Sequence, residues 1–371
     1  MEVSKVRKGL KLTMTVLAAL VVVLIAASPF MACTSICVDK AATADGSIMT
    51  AHTCDGWYDA RTWVVPGAKH AATDKVTIYS GLLHSDRAEP KILGAIPEVA
   101  ETYTYFYAGY PYMNEHGVIM GETTIGQRNE LRTTEGIFYI ETLQILALQR
   151  AKTAREAIQV MGSLAEEYGY RDGGECLTVG DQYEMWFFEI LPSGPLNKGA
   201  IWAAVRIPEG HVGVSANRSR IGELKKNNPD YMFSSNVFDL AIQNGWWDPA
   251  SGKPFLFYEA YADKTSMGSR RREWRVLSTF APSLNLDPNA SRFPFTVKAE
   301  KKITVQDYFT IYRDTYVGTA YDKANVSDWF VPDSKGVYVK SPFATPHMSS
   351  DFLKLVDAAS ERNIAIPGCS Y

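Results

Sequence analysis

Histidine is scarce in this sequence of 371 residues: there are six, scattered, with no two at a ligand spacing. A histidine-built zinc centre therefore has no support in the pattern. Nothing positively marks a His-based triad either, although triad partners can be far apart in a chain. Cysteine is also sparse, and five cysteines in a chain this long are no disulfide scaffold. GxGxxG, P-loop, HExxH and GxSxG patterns are all missing from any suitable context, which removes the usual signatures of dinucleotide, nucleotide, zinc-protease and serine-hydrolase sites. The net charge is −3 and no basic block occurs past the extreme N-terminus, so neither nucleic acid nor an anionic surface is an expected partner. Internal repeats and low-complexity tracts are absent.

What is present suits a globular chain with a sizeable core: 46% hydrophobic and 21% charged residues, enough for one large domain or two ordinary ones. The 20 tyrosines and 8 tryptophans suit a carved pocket and a bulky core equally well. The first 32 residues are a separate object. Lys5, Arg7, Lys8 and Lys11 precede an uncharged apolar run from Leu12 to Ala27, and Ser28-Pro29-Phe30-Met31-Ala32 follows. This is the layout of a secretory signal peptide, and the basic flank would leave the body of the chain outside even if the run stayed as an anchor. Residues 1–32 are expected to be a signal peptide or propeptide, and the protein to be exported. Ala32 suits the −1 position before Cys33, but Phe30 is poor at −3. Ordinary cleavage, a lipobox at Phe30-Met31-Ala32-Cys33, and upstream cleavage followed by self-removal of the remainder are all open.

Along the body, Thr34–Val38 and Ile48–Ala51 read as strands joined by the Asp45-Gly46-Ser47 turn, a hairpin beginning at Cys33. Further strands are expected at 62–65, 76–79, 102–107 and, after an Asn114-Glu115-His116-Gly117 turn, 118–120. Helical spacing covers 140–152, and Thr153-Ala154-Arg155-Glu156 is a capping box opening a second helix to about Tyr168. Strands at 176–179, 184–190, 201–206 and 212–215 come next, then a looser stretch over 225–252 and a helix capped at Thr304 running to about Thr315. Strands, helices, then strands again predict an α+β fold, not an alternating α/β one.

Cys33 stands just after the leader, where a cysteine can be a disulfide partner, a lipid attachment point or a nucleophile. The odd number of cysteines leaves at least one thiol over. A nucleophile at a mature N-terminus has its own general base, because an α-amino group has a pKa near 8. It needs a polar group to orient that amine, donors for the oxyanion, and a strand that holds the terminus.

Ordered blocks decide among these roles. Ala32-Cys33-Thr34-Ser35, Ala42-Thr43-Ala44-Asp45-Gly46-Ser47 and Ala51-His52-Thr53-Cys54-Asp55 open the series. Met113 to Val118, Gly121-Glu122-Thr123-Thr124, Tyr168 to Arg171 and Gly174-Glu175 continue it. Val205 to Pro208, Ser215 to Ile221, Arg271 to Val276, Pro294 to Lys298 and Tyr312-Arg313-Asp314 complete it. The set resembles the bacterial cysteine dipeptidase family of the N-terminal-nucleophile (Ntn) hydrolases. That resemblance implies a four-layer αββα sandwich over 33–371 with Cys33 at the end of a central strand. It also implies hydrolysis of short peptides without metal or organic cofactor, and leaves a homo-oligomer open. Through related bile-salt and penicillin amidases it assigns Cys33 as nucleophile, Asp55 to the Cys33 amine, Asn114 and Asn217 to the oxyanion pocket, and Arg272 to a place beside the sulfur. Two rivals remain: an Ntn amidase for N-acyl amino acids, and a non-catalytic lipoprotein lipidated at Cys33. His52 stands where the bile-salt branch has an arginine. The family pattern also continues past Tyr371, so a C-terminal part of the domain is expected to be missing.

Overall fold

The computed structural model describes residues 33–54, 61–80, 90–196, 199–262, 265–325 and 327–345. The leader 1–32, Asp55 and Cys369 lie outside the described residues. Helices and antiparallel sheets are both present, as an α+β fold requires. No helix among the described residues is long and apolar enough to cross a membrane.

The strands are, in chain order, β1 (Thr34–Val38), β2 (Met49–Thr53), β3 (Trp63–Val65), β4 (Lys75–Tyr79), β5 (Ile92–Pro97), β6 (Tyr105–Tyr107), β7 (Pro111–Asn114) and β8 (Ile119–Ile125). Then come β9 (Gly174–Gly180), β10 (Met185–Pro192), β11 (Ala200–Arg206), β12 (His211–Ser215), β13 (Tyr231–Phe233), β14 (Thr296–Lys298), β15 (Phe330–Pro332) and β16 (Tyr338–Lys340). An eight-stranded sheet runs β13-β11-β10-β9-β8-β7-β6-β3, and a four-stranded one runs β14-β12-β1-β2. β4–β5 and β15–β16 are separate two-stranded pairs.

Residues of β9 and β10 are buried throughout, because both faces of the long sheet are covered. Side chains alternate accordingly. Trp186, Phe188 and Ile190 join the core under helices α1 (Ile140–Arg150) and α2 (Ala154–Tyr168). Met185, Phe187 and Leu191 turn to the opposite core. Thr153 caps α2 by accepting from Glu156 N–H, but the Glu156 carboxylate takes Lys152 N–H, so the expected box is closed one residue early.

β1 is buried along its whole length between β12 and β2. Ile36 and Val38 pack with Val276, Leu277 and Phe280 of a helix at Met267–Phe280 and with Tyr308 and Ile311 of one at Val305–Tyr312. With the short Asp239–Gln243 helix, these are α4, α5 and α3 respectively. The other face of β1 meets the long sheet through hydroxyls: Ser35 Oγ lies 3.0 Å from Thr178 Oγ1, Thr50 Oγ1 lies 2.7 Å from the same atom, and Thr123 Oγ1 lies 2.6 Å from Ser215 Oγ. Gly121 permits this approach, since a Cβ there would sit 2.7 Å from both Ser35 Oγ and Thr178 Oγ1.

Four local expectations change. β8 extends to Ile125, which puts Glu122 inside a strand. Only 105–107 of the expected 102–107 strand pairs. The looser 225–252 region contains β13 and α3. α4 was not foreseen because its buried face carries Arg271, Arg272 and Glu273 and so shows no apolar period.

Candidate active site

Cys33 immediately precedes β1 and is fully buried. The register Thr34↔Thr53 sets Cys54 opposite it, and the two sulfurs are 3.9 Å apart. No disulfide joins Cys33, Cys37, Cys54 or Cys176. Burial pushes the Cys37 thiol up to about 12 and the Cys176 thiol well above its ordinary value, so neither offers a thiolate.

Arg272 is what gathers the site. It comes from the second turn of α4, whose first turn is capped by Ser266 Oγ accepting from Ser269 N–H. The residue is 2% exposed, and its guanidinium donates to Cys33 O at 2.5 Å, Thr34 Oγ1 at 2.8 Å, Ala216 O at 3.2 Å and Asn217 Oδ1 at 2.9 Å. Nε donates to Gly268 O one turn back. A planar fork is the one cationic side chain able to reach the start of β1 and the end of β12 at once. The resemblance placed Arg272 beside the sulfur; these bonds hold the Cys33 carbonyl.

Asn217 follows β12 in the left-handed region, φ 60°, which asparagine tolerates better than most residues. With Oδ1 on Arg272, its Nδ2 faces the long sheet and donates to Thr124 O at 2.8 Å. Cys33, Asn217 and Arg272 are thus brought together. Asp55, expected at the Cys33 amine, lies outside the described residues.

Asn114 departs from its expected oxyanion role. Its Nδ2 donates to Leu148 O and Ala151 O, both at 2.8 Å, and its Oδ1 accepts from His116 N–H and Val118 N–H. Both donors are spent on the last carbonyls of α1, and both acceptor sites on the following turn. Asn114 is a structural pin between a turn and a helix end.

Two carboxyls missed in the sequence reading border the sulfur. Glu122 of β8 and Glu175 of β9 are diagonal neighbours on one face of the long sheet, and a Glu122 oxygen lies within 4.8 Å of both Cys33 Sγ and Cys54 Sγ. Burial raises Glu122, with Asp172 adding to the shift, while Glu175, Tyr110 and Thr124 offset part of it. Burial raises Glu175 well above the usual carboxylate range, and the charges of Glu122, Asp172 and Cys33 add to it. Two buried carboxyls facing each other resist double ionisation, which is why both are raised. The available signal was an acid inside each of two sequence blocks that otherwise read as buried strand. His52, beside Cys54, lies edge-on to Tyr110 with ring centroids 5.5 Å apart; burial pulls it down to about 4, so it is neutral at physiological pH.

The model of Peptidase family C69 matches residues 32–332, most of the chain. The chain belongs to peptidase family C69. Among curated relatives, this C69 chain is 26% identical over 315 residues to a probable dipeptidase of Latilactobacillus sakei, covering 78% of the chain and 62% of the relative. It is 28% identical over 326 residues to a probable dipeptidase of Salmonella dublin, covering 82% and 71%. It is 28% identical over 311 residues to probable dipeptidase B of Lactococcus lactis, covering 78% and 62%. The chain thus spans less than two thirds of the length of two of these three relatives.

Proposed function

We propose that this C69 chain is an exported dipeptidase that works through Cys33 as an N-terminal nucleophile. The observation that carries the reading is the placement of Cys33: it enters a strand buried on both faces, with its carbonyl fixed by Arg272. The dipeptidase names of the relatives support the substrate class. The packing supports an Ntn sandwich, since α1 and α2 cover one face of the long sheet, β1 and β12 approach the other, and α4 and α5 back the short sheet.

In this reading removal of 1–32 exposes the Cys33 amine, which takes the thiol proton as Sγ attacks the scissile carbonyl. The second N–H of Asn217 Nδ2 is the side-chain donor we assign to the oxyanion. Collapse of the tetrahedral adduct expels the amine product with that proton and leaves a thioester on Cys33. Water then releases the acid and regenerates the thiol. Arg272 is a positioning residue that fixes the nucleophile's main chain and orients Asn217.

Intact mass of the exported protein is expected to place the mature N-terminus at Cys33, and Cys33→Ala to lower dipeptide hydrolysis by at least about a thousandfold. Full activity in Cys33→Ala, or a diacylglyceryl adduct on the Cys33 sulfur, refutes the reading. A panel of dipeptides and N-acyl amino acids separates it from the amidase rival, which cleaves only the latter.

A further inference from the structure

We propose that Cys33, Cys54 and Glu122 form an inhibitory binding site for a thiophilic divalent cation such as Zn²⁺. The inference rests on the reading above only where it concerns activity; the ligand set is independent of it. The two sulfurs and a Glu122 oxygen lie within 4.8 Å of one another, and no other group of potential metal ligands of this kind occurs among the described residues.

The spacing matches a known geometry. In a tetrahedral site with Zn–S of about 2.3 Å, two thiolate sulfurs stand about 3.8 Å apart. The Cys33 and Cys54 sulfurs stand 3.9 Å apart, whereas a disulfide would need them at about 2.05 Å. Adjacent antiparallel strands fix both residues, so little rearrangement is needed to close around an ion. Glu122 is fully buried beside the two sulfurs, its carboxyl bonded to Glu175, Tyr110 and Thr124. Burying a carboxylate charge is costly, and a cation bound beside it offsets that cost.

Two sulfurs and one oxygen select borderline and soft ions over Mg²⁺ and Ca²⁺. Both thiols give up their protons to solvent as the metal–sulfur bonds form. A terminal Cys33 would add its α-amino group as a fourth ligand, chelating through N and S of one residue. The ion then occupies the sulfur lone pair and the amine that peptide hydrolysis needs, so binding and catalysis exclude each other. This is compatible with a metal-free reaction, because the cation switches the nucleophile off.

The test titrates the full mature chain with Co²⁺ in a phosphine reductant, which keeps disulfides and competing thiols out. One Co²⁺ per chain is expected, with a thiolate-to-cobalt charge-transfer band that Zn²⁺ abolishes. Cys54→Ser and Glu122→Gln are each expected to weaken Co²⁺ binding at least about tenfold. Zn²⁺ is expected to stop dipeptide hydrolysis in step with occupancy, and Mg²⁺ and Ca²⁺ to do neither. No charge-transfer band at saturating Co²⁺, or a band equally strong and tight in both variants, overturns the proposal. A band in a chain that hydrolyses no dipeptide supports the cation site and refutes the activity instead.

Discussion

Replacing Arg272 by lysine tests the central idea that one buried guanidinium holds the strand of the proposed nucleophile in place. The arginine donates to four acceptors outside its own helix: Cys33 O, Thr34 Oγ1, Ala216 O and Asn217 Oδ1. Hydrogen bonds from a charged donor contribute about 1.5–3 kcal/mol each, net of the bonds to water they replace. A lysine ammonium is a point donor and can serve one side of this span at a time. Losing the other side removes two such bonds, or about 3–6 kcal/mol. Part returns because a smaller, flexible head is easier to hydrate, leaving an expected net loss of about 2–3 kcal/mol. The functional loss should be larger in proportion, since a displacement of about 1 Å at the reacting group costs on the order of a hundredfold in rate. Urea denaturation gives the first quantity and kcat for a dipeptide the second. Arg272→Met, similar in volume but without donors, should fall further in both. Were Arg272→Met within about 0.5 kcal/mol of wild type with unchanged kcat, the guanidinium would be a passenger and the argument refuted.

Asn114→Ala should cost about 2–4 kcal/mol in urea unfolding, through loss of four hydrogen bonds, three of them buried, while kcat per folded molecule stays constant; a selective fall in kcat would restore the oxyanion role. Gly121→Ala should lower the unfolding free energy by about 1–3 kcal/mol, because its Cβ would lie 2.7 Å from Ser35 Oγ and Thr178 Oγ1; an unchanged urea midpoint would mean that the sheets are not in contact there. Glu175 has a folded pKa raised above its ordinary 4.5, so the folded state holds the proton more tightly and stability is lost as pH climbs from about 4.5 through the folded value. Glu175→Gln should therefore gain on wild type between pH 4.5 and 8; parallel urea midpoints across that range would contradict the buried carboxyl pair.

Much of the architecture was legible because it follows period and punctuation. The β1–β2 hairpin, the α1–α2 pair with its Thr153 cap and the β9–β10 hairpin all announce themselves in apolar spacing and turn residues. α4 did not, because its inward face is ionic: Arg220 donates to Glu273 at 2.6 Å with both side chains buried, a pattern that looks solvent-facing in sequence. The site divides along the same line. Cys33 and Arg272 sit in distinctive blocks, and the fold joins them through hydrogen bonds. Asn114 shares such a block, but how an asparagine spends its amide depends on which helix end arrives beside it. Glu122 and Glu175 became visible only once pairing of β8 with β9 set them on one face beside the sulfurs.

The bond from Arg272 to the Cys33 carbonyl joins residues 239 positions apart, and β12, a neighbour of β1, is distant too. The β1–β2 hairpin can form as soon as its residues emerge, but the grip on its first residue waits for α4. During synthesis the Cys33 thiol is thus present early and set in place late. Folding order acts here as a timer: a partly made chain carries Cys33 without the frame that the finished fold builds around it.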